Sequence, residues 1–132
     1  MTPELTVLAL AAILQVAQIA LAGAVMNRDM GVEFNAGPRD TQPEFSVLTG
    51  RLRRAVSNHF EALALFTIAV VVVTLSGKAS GLTAACAWIY LAARILYVPA
   101  YGYGWAPWRS AIFGVGAAAT LVMILVALFG SA

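Results

Sequence analysis

Four apolar stretches, each long enough to cross a bilayer, occupy most of this chain of 132 residues. A membrane-spanning helix needs about 20 predominantly apolar residues. Pro3 to Met26, Ala55 to Ser76, Gly81 to Val98 and Pro107 to Phe129 all qualify. Such stretches cannot be lodged together inside a small water-soluble domain. Composition agrees: 61% of residues are hydrophobic and only 11% charged, against about 25% charged in soluble domains. The runs Ile68 to Val73 and Leu121 to Val126 would suit buried strands, but their flanks are equally apolar, so they read as helix interiors. The expected fold is an all-α integral membrane bundle of four transmembrane helices, forming one domain over residues 1–132.

The first stretch reads as a retained helix rather than a signal peptide. Its start, Met1-Thr2-Pro3-Glu4, carries an acid and no basic residue, and its apolar run exceeds that of a signal sequence. Asn27 to Gly50 is the one long polar segment; Gly31, Gly37, Pro38 and Pro43 make it irregular in expectation. A short turn, Gly77 to Ser80, links the second and third spans. Pro99, Gly102, Gly104 and Pro107 punctuate the link to the fourth.

Basic residues set the expected orientation. Arg28, Arg39, Arg51, Arg53, Arg54 and Arg109 fall at one end, with Arg94 near it, and Lys78 at the other. The arginine-rich loops are expected to be cytoplasmic and both termini on the opposite side. Tyr90, Tyr97, Tyr101, Tyr103, Trp105 and Trp108 crowd the arginine end and partly read as an interfacial aromatic belt. A net charge of +2 gives no argument for nucleic acid. One cysteine and one histidine leave no disulfide and no Cys- or His-rich metal set.

The chemistry concentrates where the second span begins, at Arg51-Leu52-Arg53-Arg54-Ala55-Val56-Ser57-Asn58-His59-Phe60-Glu61. At 100° per residue Arg54, Asn58 and Glu61 fall within about 60° of one another, with Arg51 a turn below. His59 and Arg53 point elsewhere on this wheel. A guanidinium, an amide and a carboxylate thus climb one face into the membrane. A carboxylate at that depth needs a partner or a wet cavity; an ion pair with Arg54 or Arg94 would satisfy it structurally. In the third span Arg94, Tyr97 and Tyr101 share a face, and Pro99 between the tyrosines predicts a kink or a helix end. Arg109 follows Pro107 at a helix amino terminus, where the backbone adds partial positive charge.

Arginines pair with carboxylates, Glu61 suits an ammonium or amide donor, and Asn58 bonds either. The set fits a peptide-like zwitterion better than a phosphate, which would give Glu61 nothing to bind. A lipid headgroup or a partner subunit on the same face is the competing reading. A transport path is hard to draw through four unbroken spans. Gln15 and Gln18, mid-membrane in the first span, read as hydrogen-bonding glue between helices or subunits. Gly114, Gly116, Ala117, Ala118 and Thr120 offer small surfaces for close packing, and Cys86 reads as a packing residue. His59 reads as interfacial or bonded to a neighbour rather than as a general base.

Arg54-Ala55-x-x-Asn58-x-x-Glu61 at the start of a second membrane helix resembles the signature of the MAPEG family, the membrane-associated proteins in eicosanoid and glutathione metabolism. Pro43-Glu44-Phe45 is similar to the family's preceding loop, and Arg94-x-x-Tyr97-x-x-x-Tyr101 to its third-helix motif. The likeness extends over all four spans, and the short chain looks like the bacterial branch, which implies a bacterial inner membrane.

The resemblance implies a homotrimer that holds glutathione as co-substrate, without a metal, between subunits at the cytosolic membrane edge. By position Arg54, Asn58 and Glu61 would hold the tripeptide. Arg28 and Arg51 would be accessory cations, and Arg94, Tyr97 and Tyr101 would complete the site. Arg109, with Tyr97, would stabilise the glutathione thiolate. That thiolate would attack a small lipophilic electrophile arriving from the membrane lipids, since cations raise the thiolate fraction at neutral pH. Conjugation and peroxide reduction both remain open. Two departures stand out: Ala62 follows Glu61 where the leukotriene-forming branch has an aromatic, and Gly102 to Trp108 differs in spacing from the family.

Overall fold

The computed structural model describes residues 1–30, 46–102, 104 and 106–130. They form four helices: α1 (Pro3–Met30), α2 (Val47–Leu75), α3 (Gly81–Gly102) and α4 (Ala106–Phe129). All four are long and apolar enough to cross a membrane, and no strand occurs among the described residues. The apolar runs in α2 and α4 are helix interiors, as their flanks implied.

Helix boundaries follow capping rather than hydropathy. α2 begins eight residues before Ala55, because Ser46 caps it. The Ser46 hydroxyl oxygen accepts the Thr49 N–H at 3.1 Å, which satisfies a free donor of the first turn. α2 ends in a Schellman turn. Gly77 sits at φ 71°, the Gly77 N–H donates to Thr74 O, and the Lys78 N–H donates to Val73 O. A left-handed residue closing the last carbonyls in this way is normally glycine. Ser80 then opens α3, its N–H donating to Thr83 Oγ1 at 2.7 Å.

Two expectations at helix ends change. α1 runs four residues past Met26 into the segment read as loop. α3 passes through Pro99 and continues to Gly102; proline removes one backbone donor, and the helix survives that loss. The remainder of the first loop, 31–45, lies outside the described residues, as do Tyr103 and Trp105.

α1 packs on α2 and α3, and α4 packs on α2 and α3. α2 and α3 also touch, while α1 and α4 make no packing contact among the described residues. α2 and α3 therefore form the short diagonal of the bundle. The buried stripe of α1 is Glu4, Val7, Ala11, Gln15, Gln18, Ala22 and Met26, a three–four repeat of a helix packed along one seam. α2 buries Leu52, Ala55, His59, Phe66, Ala69, Val70 and Val73 on the same rhythm. Phe66 and Tyr90 stack face to face across the diagonal, their centroids 4.0 Å apart and their planes within 1°. The outward faces carry Ile13, Val16, Leu65, Ile68, Ile89, Leu121 and Leu128, side chains suited to hydrocarbon.

The end bearing both termini is tied by polar contacts. Glu4 is buried, and the Thr83 hydroxyl donates to its Oε1 at 2.8 Å. Lys78 Nζ donates to Ala127 O at 3.0 Å, placing a cation on the carboxyl end of α4, where carbonyls lack helical donors. Gln15 and Gln18 are both buried on α1, and Gln15 Nε2 reaches Val56 O on α2 at 3.4 Å. Their seam is thus between helices of one chain. Gly116 is buried against Ala93 and Tyr90, but Gly114 and Ala118 face outwards, so only part of the small-residue set serves packing inside the bundle. Cys86 is buried among core residues.

Candidate functional site

At the arginine end the polar residues separate into a buried group and an outer stripe. Arg94 is the centre of the buried group, 2% exposed. Its Nε donates to Nδ1 of His59 at 3.2 Å, and its Nη1 donates to Oδ1 of Asn58 at 3.1 Å. Its guanidinium carbon lies 4.2 Å from the centroid of the Tyr97 ring, a cation–π contact that shelters one face of the charge. His59 in turn faces Ala11 O on α1 through Nε2 at 3.1 Å. Five residues therefore join α1, α2 and α3. Nη2 of Arg94 is buried, with no hydrogen-bond partner among the described residues.

The outer stripe is Arg54, Asn58 and Glu61. Arg54 and Glu61 are exposed and Asn58 is half-buried, as one helical face at the rim of a packed seam requires. Glu61 stands beside Phe60 and Leu65, which are 65% and 58% exposed, at the inner end of the polar stripe. It pairs with neither Arg54 nor Arg94: the partners of Arg94 are His59, Asn58 and Tyr97. The intrachain ion pair considered for Glu61 is not formed among the described residues. Asn58 is the link between stripe and interior.

A cavity of about 270 Å³ opens next to this stripe between α2 and α4, with α3 as its floor. Ala62, Leu65, Tyr90, Arg94, Phe113 and Thr120 are among its walls. Its lining is almost wholly apolar, with Arg94 at its polar end. The Thr120 hydroxyl is spent on Gly116 O at 3.0 Å.

The remaining candidates are spread around the same end. Arg28 is exposed in the last turn of α1. Arg51 is half-buried, its guanidinium lying over the backbone of Gly104 in the α3–α4 turn. Arg109 is half-buried in the first turn of α4. Tyr97 is buried, 3% exposed, with the tilted ring of Phe113 at 6.3 Å between centroids. The side chain of Tyr101 lies outside the described residues. Arg53 faces away from the stripe, onto a shallow groove with Ile19 and Gly23 of α1. Among the described residues no three His, Cys, Asp or Glu side chains cluster as a metal set.

The MAPEG family model matches residues 5–129, nearly the whole chain. The chain belongs to the MAPEG family. No curated protein and no solved structure matches it. As a MAPEG protein with four apolar helices it is an integral membrane protein. The family match covers the second-helix and third-helix motifs alike, and in this MAPEG chain the two motifs are joined physically by the Arg94–Asn58 hydrogen bond.

Of the two readings of His59, interfacial or bonded to a neighbour, the structure takes the second: the ring is fully buried and bonded to Ala11 and Arg94. Its signal was the α2 seam, where 52, 55, 59, 66 and 73 fall in register. Tyr90, counted toward the aromatic belt, is a core residue at 1% exposure, and Tyr97 is buried as well. Trp108, at 68%, is exposed as a belt residue should be.

Proposed function

We propose that this protein is a membrane-bound glutathione transferase or peroxidase of the homotrimeric MAPEG type. The observation that carries the reading is the outer placement of Glu61. A carboxylate on an outward-facing surface is costly in a membrane, and a neighbouring subunit together with a bound zwitterion would remove that cost. Arg54, Asn58 and Glu61 then line one wall of an intersubunit site, with cations for the two glutathione carboxylates and a carboxylate for the ammonium. Arg28 and Arg51 add positive charge at the same end.

The thiol is activated by charge. Arg109 stands in the first turn of α4, where side-chain charge and helix dipole both favour an anion, and Tyr97 supplies a phenol nearby in the fold. A thiolate held there attacks a lipophilic electrophile lying in the apolar cavity against α4. The sulfur–carbon bond forms as the leaving group departs or the acceptor takes the electron pair. No protein nucleophile takes part, and Cys86, buried among apolar neighbours, stays a packing residue.

The arginine end is placed on the cytoplasmic side of a bacterial inner membrane, where glutathione is available and the positive-inside bias puts it. The test is titration of the detergent-purified protein with glutathione, reading the thiolate absorbance in the ultraviolet, with Glu61→Ala alongside. A thiolate signal that disappears in the variant supports the reading. Absence of binding at millimolar glutathione, with phospholipid or a protein copurifying at the arginine end, overturns it in favour of a headgroup- or partner-binding role.

A further inference from the structure

His59 is the only histidine in the chain and is fully buried. Its two ring nitrogens address two different helices. Nε2 lies 3.1 Å from the Ala11 carbonyl oxygen on α1, and Nδ1 lies 3.2 Å from Nε of Arg94 on α3. A guanidinium offers donors only, and a carbonyl oxygen accepts only. Nδ1 therefore carries the lone pair and Nε2 the proton. The ring is neutral, and its tautomer is fixed from both sides. A second ring proton would set N–H against N–H at Arg94.

The consequence passes outward through Arg94. The guanidinium is a rigid planar fork. With Nε tied to His59 and one face against the Tyr97 ring at 4.2 Å, its rotation is stopped. Nη1 then falls 3.1 Å from the Asn58 side chain. Because Nη1 can only donate, the atom of Asn58 that meets it is the oxygen, so the side-chain NH2 of Asn58 is left for the outer stripe. The neutral ring thereby decides which end of an amide the stripe presents.

We propose that His59 is a positioning residue of the glutathione site. It holds Arg94 so that Asn58 presents a donor between the cation of Arg54 and the carboxylate of Glu61. The stripe then reads, from the membrane edge inwards, cation, neutral donor, acceptor. That order suits a ligand with a carboxylate and a peptide carbonyl followed by an amine. The assignment rests on the glutathione reading above. His59 touches no substrate atom and acts through Arg94 alone.

Two substitutions separate positioning from packing. In His59→Asn the side-chain oxygen can occupy the place of Nδ1 and accept from Arg94, but the bond to Ala11 is lost. In His59→Gln the longer amide can reach Ala11 O, but the acceptor for Arg94 is lost. Each variant gives up one hydrogen bond and loses stability, His59→Gln the more because its lost bond is to a charged group. Glutathione affinity splits them: His59→Asn stays within about threefold of the parent, whereas His59→Gln weakens by about tenfold or more, as loss of a hydrogen bond to a charged group implies. Equal affinities in the two folded variants overturn the proposal.

A second readout is independent of glutathione. Histidine labelled with nitrogen-15 reports this one ring. One protonated and one bare nitrogen are expected, with the proton on Nε2; Arg94→Leu shifts the resonance of the bare Nδ1 by removing its donor, while Ala11 O keeps the proton on Nε2. A proton on Nδ1 in the parent protein overturns the proposal. If the parent protein binds no glutathione, the transferase reading fails, and the labelled ring still decides whether His59 clamps Arg94.

Discussion

Nη1 of Arg94 on α3 donates to Oδ1 of Asn58 on α2 across 3.1 Å. This contact joins the two motifs that carry the family likeness. It also makes a buried cation and a surface amide parts of one device. Arg94 has no carboxylate partner among the described residues; its charge is held by a neutral imidazole, an amide oxygen and a phenol ring. A charge sheltered only by neutral groups keeps its long-range field, which is what an anionic ligand at the rim would sense.

Glu61→Gln is expected to abolish the glutathione-dependent thiolate signal while changing thermal stability little. Glu61 is exposed, and exposed substitutions usually stay within about 0.5 kcal/mol. Titration and a melting curve on the same preparation check both halves.

Arg94→Leu is expected to destabilise the fold. It leaves the half-buried Asn58 Oδ1 and the buried His59 Nδ1 without their donor, at about 1–3 kcal/mol for the buried one. Arg94→Lys is not expected to rescue it, since one ammonium cannot reproduce the planar fork that serves both acceptors. Melting temperature in detergent is the measurement.

At the opposite end, Thr83→Val strips the buried Glu4 carboxylate of its hydroxyl donor. The cost should be about 1–3 kcal/mol, and Thr83→Ser should restore most of it. Glutathione binding by the folded fraction should remain unaltered, because this contact is remote from the arginine end. A matched fall in affinity would disprove that separation.

The cavity offers a further test. A methyl group added at Gly116 would meet Ala93 Cβ at 3.6 Å, ordinary contact, so Gly116→Ala should fold and work. Gly116→Leu projects into the cavity and should raise KM for bulky electrophiles more than for small ones, with glutathione affinity preserved. Steady-state kinetics with a chain-length series of electrophiles reads this directly.

Much of this architecture was legible in the residues. Hydropathy located all four helices, since a bilayer demands long apolar stretches. It placed their ends poorly, because it reports contact with lipid and not helicity. The polar residues from Val47 to Arg54 are helical through the Ser46 cap, and Asn27 to Met30 prolong α1 above the apolar stretch. Of the kink or helix end expected at Pro99, the helix end lies three residues further on, at Gly102, since one missing donor does not end a helix whose other turns remain intact.

At the site, the Arg54, Asn58 and Glu61 face was readable from periodicity alone, and the structure keeps it at the rim. The interior was not. His59 read as interfacial or bonded to a neighbour, and its place in the α2 seam, which marks a core position, decides for the neighbour. A single wheel shows one helix, whereas the role of His59 depends on a carbonyl of α1 and a guanidinium of α3. Tyr90 failed similarly, because its stacking partner, Phe66, lies on another helix.

Gly104 sits at φ 72°, and a Cβ there would lie 2.9 Å from each of the three terminal atoms of the Arg51 side chain. Any other residue there strains the turn and makes the flexible end of the Arg51 side chain shift. In a saturation mutagenesis scan this position would score as sensitive while contributing no side chain of its own. A map of sensitive positions on this protein would therefore trace the supports of the site as sharply as the site itself.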